Sequence, residues 1–176
     1  MIKNLIIILF IGFISSAFYI PEKIEKKAAK EINKFYEIEN FSKEFISISN
    51  KVNSITLSEF GNENLFKITS NKKLLGYGYI GNAPSKTADF DYLVLFDSDF
   101  IITKSKVLVY REEYGGEIGS KRWLKQFIGK SINSSELVYG KTIVPISGAT
   151  ISVRSMTIAI NNLLKSIDKL HKLELI

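Results

Sequence analysis

Three hydroxyls gather around one break in the stretch Val144-Pro145-Ile146-Ser147-Gly148-Ala149-Thr150-Ile151-Ser152. Pro145 ends whatever extended segment precedes it, and Gly148 offers a backbone position without a side chain. From Met156 onward, apolar residues recur at Met156, Ala159, Ile160, Leu163, Leu164, Ile167 and Leu170, which is one face of an α-helix. Ser147, Thr150 and Ser152 are therefore expected at a helix entrance. Unpaired backbone N–H groups and the positive end of the helix dipole sit there, and an anion such as a phosphate suits them. Helix capping by the same hydroxyls is the plainer reading of the four residues 147–150.

A second stretch with chemical potential is Tyr110-Arg111-Glu112-Glu113-Tyr114-Gly115-Gly116-Glu117-Ile118-Gly119-Ser120. Three glycines in a polar run mark a loop whose backbone can approach something closely. Lys121-Arg122-Trp123-Leu124-Lys125-Gln126-Phe127-Ile128 then reads as a short helix closed by Gly129-Lys130, with Leu124, Phe127 and Ile128 facing inward. Trp123, the only tryptophan, can stack on a planar ligand or anchor this helix. Lys121 or Arg122 can meet negative charge on a ligand or face solvent.

The residues that are missing exclude several chemistries. There is no cysteine, so disulfides, thiolate metal sites, iron–sulfur clusters and thiol nucleophiles are ruled out. The single histidine, His171, lies in a charged C-terminal segment and gives little support to a Ser-His-Asp triad or a histidine metal site. Asp89, Asp91, Asp97 and Asp99 lack the glycine and terminal glutamate of a calcium loop and read as turn residues. Ser70-Asn71-Lys72-Lys73 has the spacing of an acylating serine but none of its partner motifs. No metal ligands and no catalytic residues are assigned. The net charge of +6 favours anionic partners, and no nucleic-acid motif accompanies it.

The two stretches together resemble the FMN-binding domain family. Its distant members include flavin-carrying components of the sodium-pumping NADH:quinone reductase and of the Rnf electron-transport complex. Ser147-Gly148-Ala149-Thr150 with Ile151-Ser152 looks like the family's flavinylation motif. Glu113 to Gly116 and Gln126-Phe127-Ile128-Gly129-Lys130 look like its glycine loop and the segment after it. The likeness spans about residues 75–165, in the family's order. It departs at Val144, where the family usually has an aspartate three residues before the serine, and at Gly115, where a proline is frequent.

By resemblance, FMN is held covalently by a phosphoester to Thr150. The implied flavin-binding set is Ser147, Gly148, Ala149, Thr150, Ile151 and Ser152 with Glu113, Tyr114, Gly115, Gly116, Lys121 and Trp123. The same likeness implies a flavin transferase for maturation and an electron relay between membrane redox proteins or quinone, rather than a stand-alone enzyme. No G-x-G-x-x-G fingerprint follows a strand, so NADH binding is not expected. Two other classes stay open. One is a flavin-free extracytoplasmic binding or scaffold protein that keeps the fold, which Val144 favours. The other is a serine hydrolase, for which only His171 could be the base.

These residues need a scaffold. The chain of 176 residues, 45% hydrophobic and 24% charged, is of a length and composition for one globular domain. A basic start, an apolar run over residues 5–14 and Ser15-Ser16-Ala17 read as a signal peptide over 1–17, or as an uncleaved anchor reaching about residue 20. The remainder is then extracytoplasmic, in the periplasm or anchored to the inner membrane. Residues 21–60 are expected to form an N-terminal helical segment. Its first helix carries Ile24, Ala28, Ile32 and Phe35 on a narrow face that packs at the domain edge. Residues 37–53 fit helix or strand.

Residues 61–170 are the expected FMN-binding domain. Leu65 to Thr69 and Leu74 to Ile80 form a hairpin turning near Asn71, with Tyr77 and Tyr79 on one sheet face. Leu93 to Phe96 and Phe100 to Tyr110 are further strands, joined by an Asp97-Ser98-Asp99 turn. The fold class is α+β: a small, mainly antiparallel sheet packed with helices in a single domain.

Overall fold

A computed structural model describes residues 20–61 and 63–176; the signal or anchor expected over 1–17 lies outside them. Five antiparallel strands form one sheet in simple sequence order: β1 (Ser42–Phe45), β2 (Leu65–Ser70), β3 (Lys73–Pro84), β4 (Asp89–Phe96) and β5 (Ile102–Val109). Four helices accompany it: α1 (Glu22–Tyr36), α2 (Asn50–Asn53), α3 (Lys121–Leu124) and α4 (Thr150–Lys172). The fold is α+β, as the sequence implies.

The period-two rule of a strand explains how the sheet serves two cores. Along β4, Phe90, Tyr92, Val94 and Phe96 point to one face and Leu93 and Leu95 to the other, and all six are buried. The first face receives α4 through Val153, Met156, Ile160, Leu163, Ile167 and Leu170. Trp123, Leu124 and Phe127 extend the same cluster. The second face receives α1 through Ile24, Ala28 and Ile32, which meet Phe66, Ile68, Ile80, Leu93, Leu95 and Leu108.

This corrects the expected place of α1. The helix is not an edge element; it covers the second sheet face. Its apolar stripe is narrow because Ala28 sits in the middle, and the bulk needed there comes from the strands beneath. The ambiguous stretch 37–53 becomes β1, which extends the sheet beside β2, followed by the single turn of α2. The β2–β3 hairpin turns through Asn71 and Lys72, both with positive φ, so the Ser70 to Lys73 string is an exposed turn. Tyr77 and Tyr79 do share the face toward α4, and Gly78 between them clears the Phe66 ring on the other side. Asp97 Oδ1 accepts the N–H groups of Asp99 and Ile101, which is turn chemistry. α3 passes into a short 3₁₀ segment, Lys125–Phe127, and the backbone then extends at Ile128. Ile128 is consequently 51% exposed rather than inward.

If α1 is a core layer, Ile32→Ala must empty a fully buried site. We expect a loss of about 2–5 kcal/mol in the urea unfolding free energy. An edge helix would lose only a small fraction of that.

Candidate functional site

The end of β5, the loop after it, the β3–β4 loop and the start of α4 meet at one corner of the sheet. Gly115 and Ala149 make the closest approach. Gly115 has φ +83°, and a Cβ built on it would lie 2.8 Å from the Tyr110 hydroxyl and 3.1 Å from the Ala149 Cβ. Only glycine fits this contact without displacement. The 110–120 loop is thereby brought onto the 144–152 stretch.

A chain of hydroxyls secures the same corner. The Tyr110 O–H donates to the Tyr114 carbonyl at 2.9 Å. A phenol has one proton, so at 2.9 Å from Ser152 Oγ it accepts. Ser152 Oγ in turn lies 2.6 Å from Ser85 Oγ, whose proton completes the series. Ser152 is only 3% exposed, and these bonds satisfy its buried oxygen. Three separate chain segments are thus tied to the first turn of α4.

Glu112 ties the β3–β4 loop a second time. Its carboxylate accepts the N–H groups of Thr87 at 2.6 Å and Ala88 at 3.0 Å, and the Thr87 hydroxyl at 2.8 Å. The backbone bond from Thr87, followed by its hydroxyl, holds the Glu112 pKa down to about 2. Beside it, Arg111 donates to the Asp89 carbonyl at 2.8 Å and to Asp91 Oδ2 at 2.5 Å, closing the β4–β5 end.

The start of α4 carries no side-chain cap. Its N-cap residue is Ala149, which has no hydroxyl, and Ala149 N–H closes a turn onto the Ile146 carbonyl at 3.4 Å with Gly148 at φ +79°. The capping reading of Ser147 and Thr150 is therefore not what the helix uses. No acidic side chain occupies the first turn, so the dipole's positive end is uncompensated there. Among the described residues, the N–H groups of Thr150, Ile151 and Ser152 have no protein acceptor.

These groups open onto a cavity of about 320 Å³. Gly148, Ala149, Thr150, Ile151 and Ser152 form one wall, and Ser85, Lys86, Tyr110, Glu112 and Tyr114 the other. Thr150 is exposed at its mouth. Tyr114, 81% exposed, and Ile151, 48% exposed, provide an apolar rim. The sequence-derived residues Gly148, Ala149, Thr150, Ile151, Ser152 and Tyr114 are brought together here, and Gly115 supports them from behind.

Others stand apart. Trp123 lines a different cavity of about 620 Å³ with Arg122, Gln126, Val144, Pro145 and Ile146. It is 5% exposed, packs edge-on against Phe127, and donates Nε1–H to the Val144 carbonyl at 2.8 Å. Gln126 Oε1 accepts the Val144 N–H at 2.8 Å. Both backbone groups of Val144 are thus held, while its side chain is 63% exposed. Ser147, Glu113, Gly116 and Lys121 line neither cavity and are exposed. Ser85, Lys86, Tyr110 and Glu112 were not among the residues singled out by sequence. Tyr110 and Glu112 lie at the start of the glycine-loop stretch, whereas nothing local linked Ser85 and Lys86, in the β3–β4 loop, to α4.

His171 sits in the last turn of α4, about 30 Å along the helix from Thr150 at 1.5 Å per residue. It cannot serve as a base for any hydroxyl of the 147–152 stretch.

Residues 87–165 match the family model for the FMN-binding domain. The match runs from the β3–β4 loop into α4, and so includes most of the cavity walls. A search of curated proteins found no match to the chain.

Because the folded pKa of Glu112 lies below its ordinary value of 4.5, its tie to the β3–β4 loop stabilises the fold above that value. The contribution is lost as pH falls toward about 2. Glu112→Gln is expected to lower the urea midpoint at pH 7 and to converge with the parent chain as the pH falls through that window. Parallel curves at all pH values would contradict the assignment.

Proposed function

Because residues 87–165 form an FMN-binding domain, we propose that FMN is held covalently at Thr150, in the cavity between α4 and the β3–β4 loop, and that the protein relays electrons outside the cytoplasm. The observation that carries this reading is the exposed Thr150 at the mouth of a cavity whose wall is an uncapped helix N-terminus. The residues present fit the group. An ester phosphate on Thr150 Oγ1 would meet the free N–H groups of Thr150, Ile151 and Ser152. Lys86, which lines the cavity and has no ion-pair partner among the described residues, supplies a cation nearby. Tyr114 and Ile151 offer apolar surface for an aromatic ring.

Attachment forms a bond from Thr150 Oγ1 to the phosphorus of FMN. It needs an activated donor, a flavin phosphoanhydride, whose nucleotide leaves as the P–O bond breaks and the hydroxyl proton is lost. A flavin transferase would supply that reaction. When bound, the isoalloxazine ring takes up and releases one or two electrons. The protein's own part is to hold and shield. The Ser85, Ser152 and Tyr110 hydroxyls fix the walls, and Gly115 keeps the loop close enough to exclude water. Donors and acceptors would be membrane redox proteins or quinone. The apolar N-terminal run supports export, as a cleaved signal or an anchor.

At Val144, which replaces the usual aspartate, support for this reading comes from the backbone. Its N–H and carbonyl are both engaged by the 121–128 segment, and only its side chain differs, pointing to solvent. The path of the backbone into Thr150 does not depend on that side chain.

Co-expression with a flavin transferase should yield a chain that fluoresces under ultraviolet light on a denaturing gel. Thr150→Ala should abolish the signal, and Thr150→Ser should retain part of it. A parent chain with the bare polypeptide mass would leave the flavin-free scaffold as the function. In the flavinylated protein, Tyr114→Ala should raise flavin fluorescence severalfold by uncovering the ring. Trp123→Ala should instead lower thermal stability, because Trp123 is committed to the Val144 carbonyl.

A further inference from the structure

The outward face of α1 carries Lys23, Lys26, Lys27, Lys30 and Lys34. Their spacings of three and four residues place them on one stripe, opposite Ile24, Ala28 and Ile32. The helix also contains three glutamates, but two are taken up elsewhere. Glu25 pairs with Lys43, and Glu31 is shared by Lys104 at 3.3 Å and Lys106 at 3.8 Å. Only Glu22 stands on the stripe, paired with Lys26 at 2.6 Å. Lys27 donates to the Leu108 carbonyl at 3.1 Å, a neutral partner that leaves its charge uncompensated. Among the described residues, Lys23, Lys30 and Lys34 have no acidic partner within ion-pair distance. A shallow recess of about 450 Å³ lies along this ridge.

We infer that this lysine face of α1 lies against an anionic phospholipid surface. Two observations favour a bilayer over an acidic protein. The first is position: the apolar run over residues 5–14 ends shortly before Lys23. The intervening chain is too short to carry α1 far from a membrane that the run enters, at about 3.5 Å per extended residue. The second is form. The ridge is a row of long, flexible amines along a helix whose inner face is fully buried, with no apolar anchor among them. Lipid headgroups need only charge, whereas a protein partner usually adds buried aromatic or aliphatic contacts. α4 and the Thr150 cavity lie on the opposite layer of the sheet and remain accessible to a redox partner. This inference rests on the anchor form of the N-terminal run proposed above but not on the flavin.

The test uses the full chain. It is mixed with vesicles of phosphatidylcholine alone or of phosphatidylcholine with phosphatidylglycerol. Surface amines are then briefly acetylated and mapped by mass spectrometry. Lys23, Lys26, Lys30 and Lys34 should become severalfold less reactive on the anionic vesicles at low salt. The protection should vanish at high salt and on neutral vesicles. Lys125, exposed on the α4 side of the sheet, should stay reactive throughout.

In cosedimentation, the chain with Lys23→Gln, Lys26→Gln, Lys30→Gln and Lys34→Gln together should lose about tenfold or more of its preference for anionic vesicles. Its partition into neutral vesicles should be unchanged. Equal lysine reactivity on both vesicle types would overturn the proposal. So would protection by added polyglutamate but not by vesicles, which would give the face to an acidic protein. The footprint reads the parent chain, so a variant that misfolds leaves the test intact. The gel fluorescence of the Thr150 experiment is independent of either outcome.

Discussion

The buried hydroxyl of Ser152 is the tie on which the functional corner depends. It lies inside the first turn of α4 and joins Tyr110 at the end of β5 to Ser85 in the β3–β4 loop. A buried hydroxyl without partners costs free energy, so the three segments are held in mutual register by the need to satisfy one oxygen. The Gly115–Ala149 approach enforces the same register sterically, since any side chain at Gly115 would push the loop away. Polar satisfaction and close packing point to one geometry, and that geometry leaves the helix N-terminus open. Where an ordinary helix would spend a serine or threonine on capping, this one has Ala149, and its free N–H groups face a cavity.

The two sides of the sheet divide the remaining work. α4 is long and buries a broad apolar stripe, so its N-terminus is fixed by a large core rather than by local contacts alone. α1 buries a narrow stripe on the other face and turns its lysines outward. β4 is buried on both sides; its Asp89 and Asp91 end is met by Arg111, and within the α4-side core the Tyr92 hydroxyl lies beside that of Tyr79. A site at one corner and a charged layer on the far face can therefore coexist without sharing residues.

Trp123 illustrates how a chemical expectation can be displaced by packing. An only tryptophan next to a glycine loop invites a stacking role. Its indole N–H instead supports the carbonyl of Val144, and Gln126 takes the N–H of the same residue. The pair guides the chain into the Ser147 to Thr150 turn from the side away from the Thr150 cavity. Tyr110 and Glu112, which do line that cavity just past the end of β5, precede Glu113, the glutamate expected in that role.

Read alone, the sequence determined what depends on neighbours along the chain. Period-two and period-3.6 patterns defined β2 to β5 and α4, Pro145 and Gly148 marked the helix entrance, and the order of the two loops carried the resemblance to a flavin domain. It also settled the absent chemistries, since a chain without cysteine cannot use a thiolate. Contacts between distant segments were decided only by the tertiary structure. Ser85 and Ser152, or Thr87 and Glu112, are hydrogen-bonded across long stretches of chain, and no local periodicity reports such a pairing. The place of α1 was hidden for the same reason, because a narrow stripe reads alike at an edge and over a sheet whose strands provide the bulk. Helix capping was likewise undecidable in sequence. Whether Ser147 or Thr150 caps depends on the residue at which the backbone turns helical, and the packing of Ala149 against Gly115 made that choice.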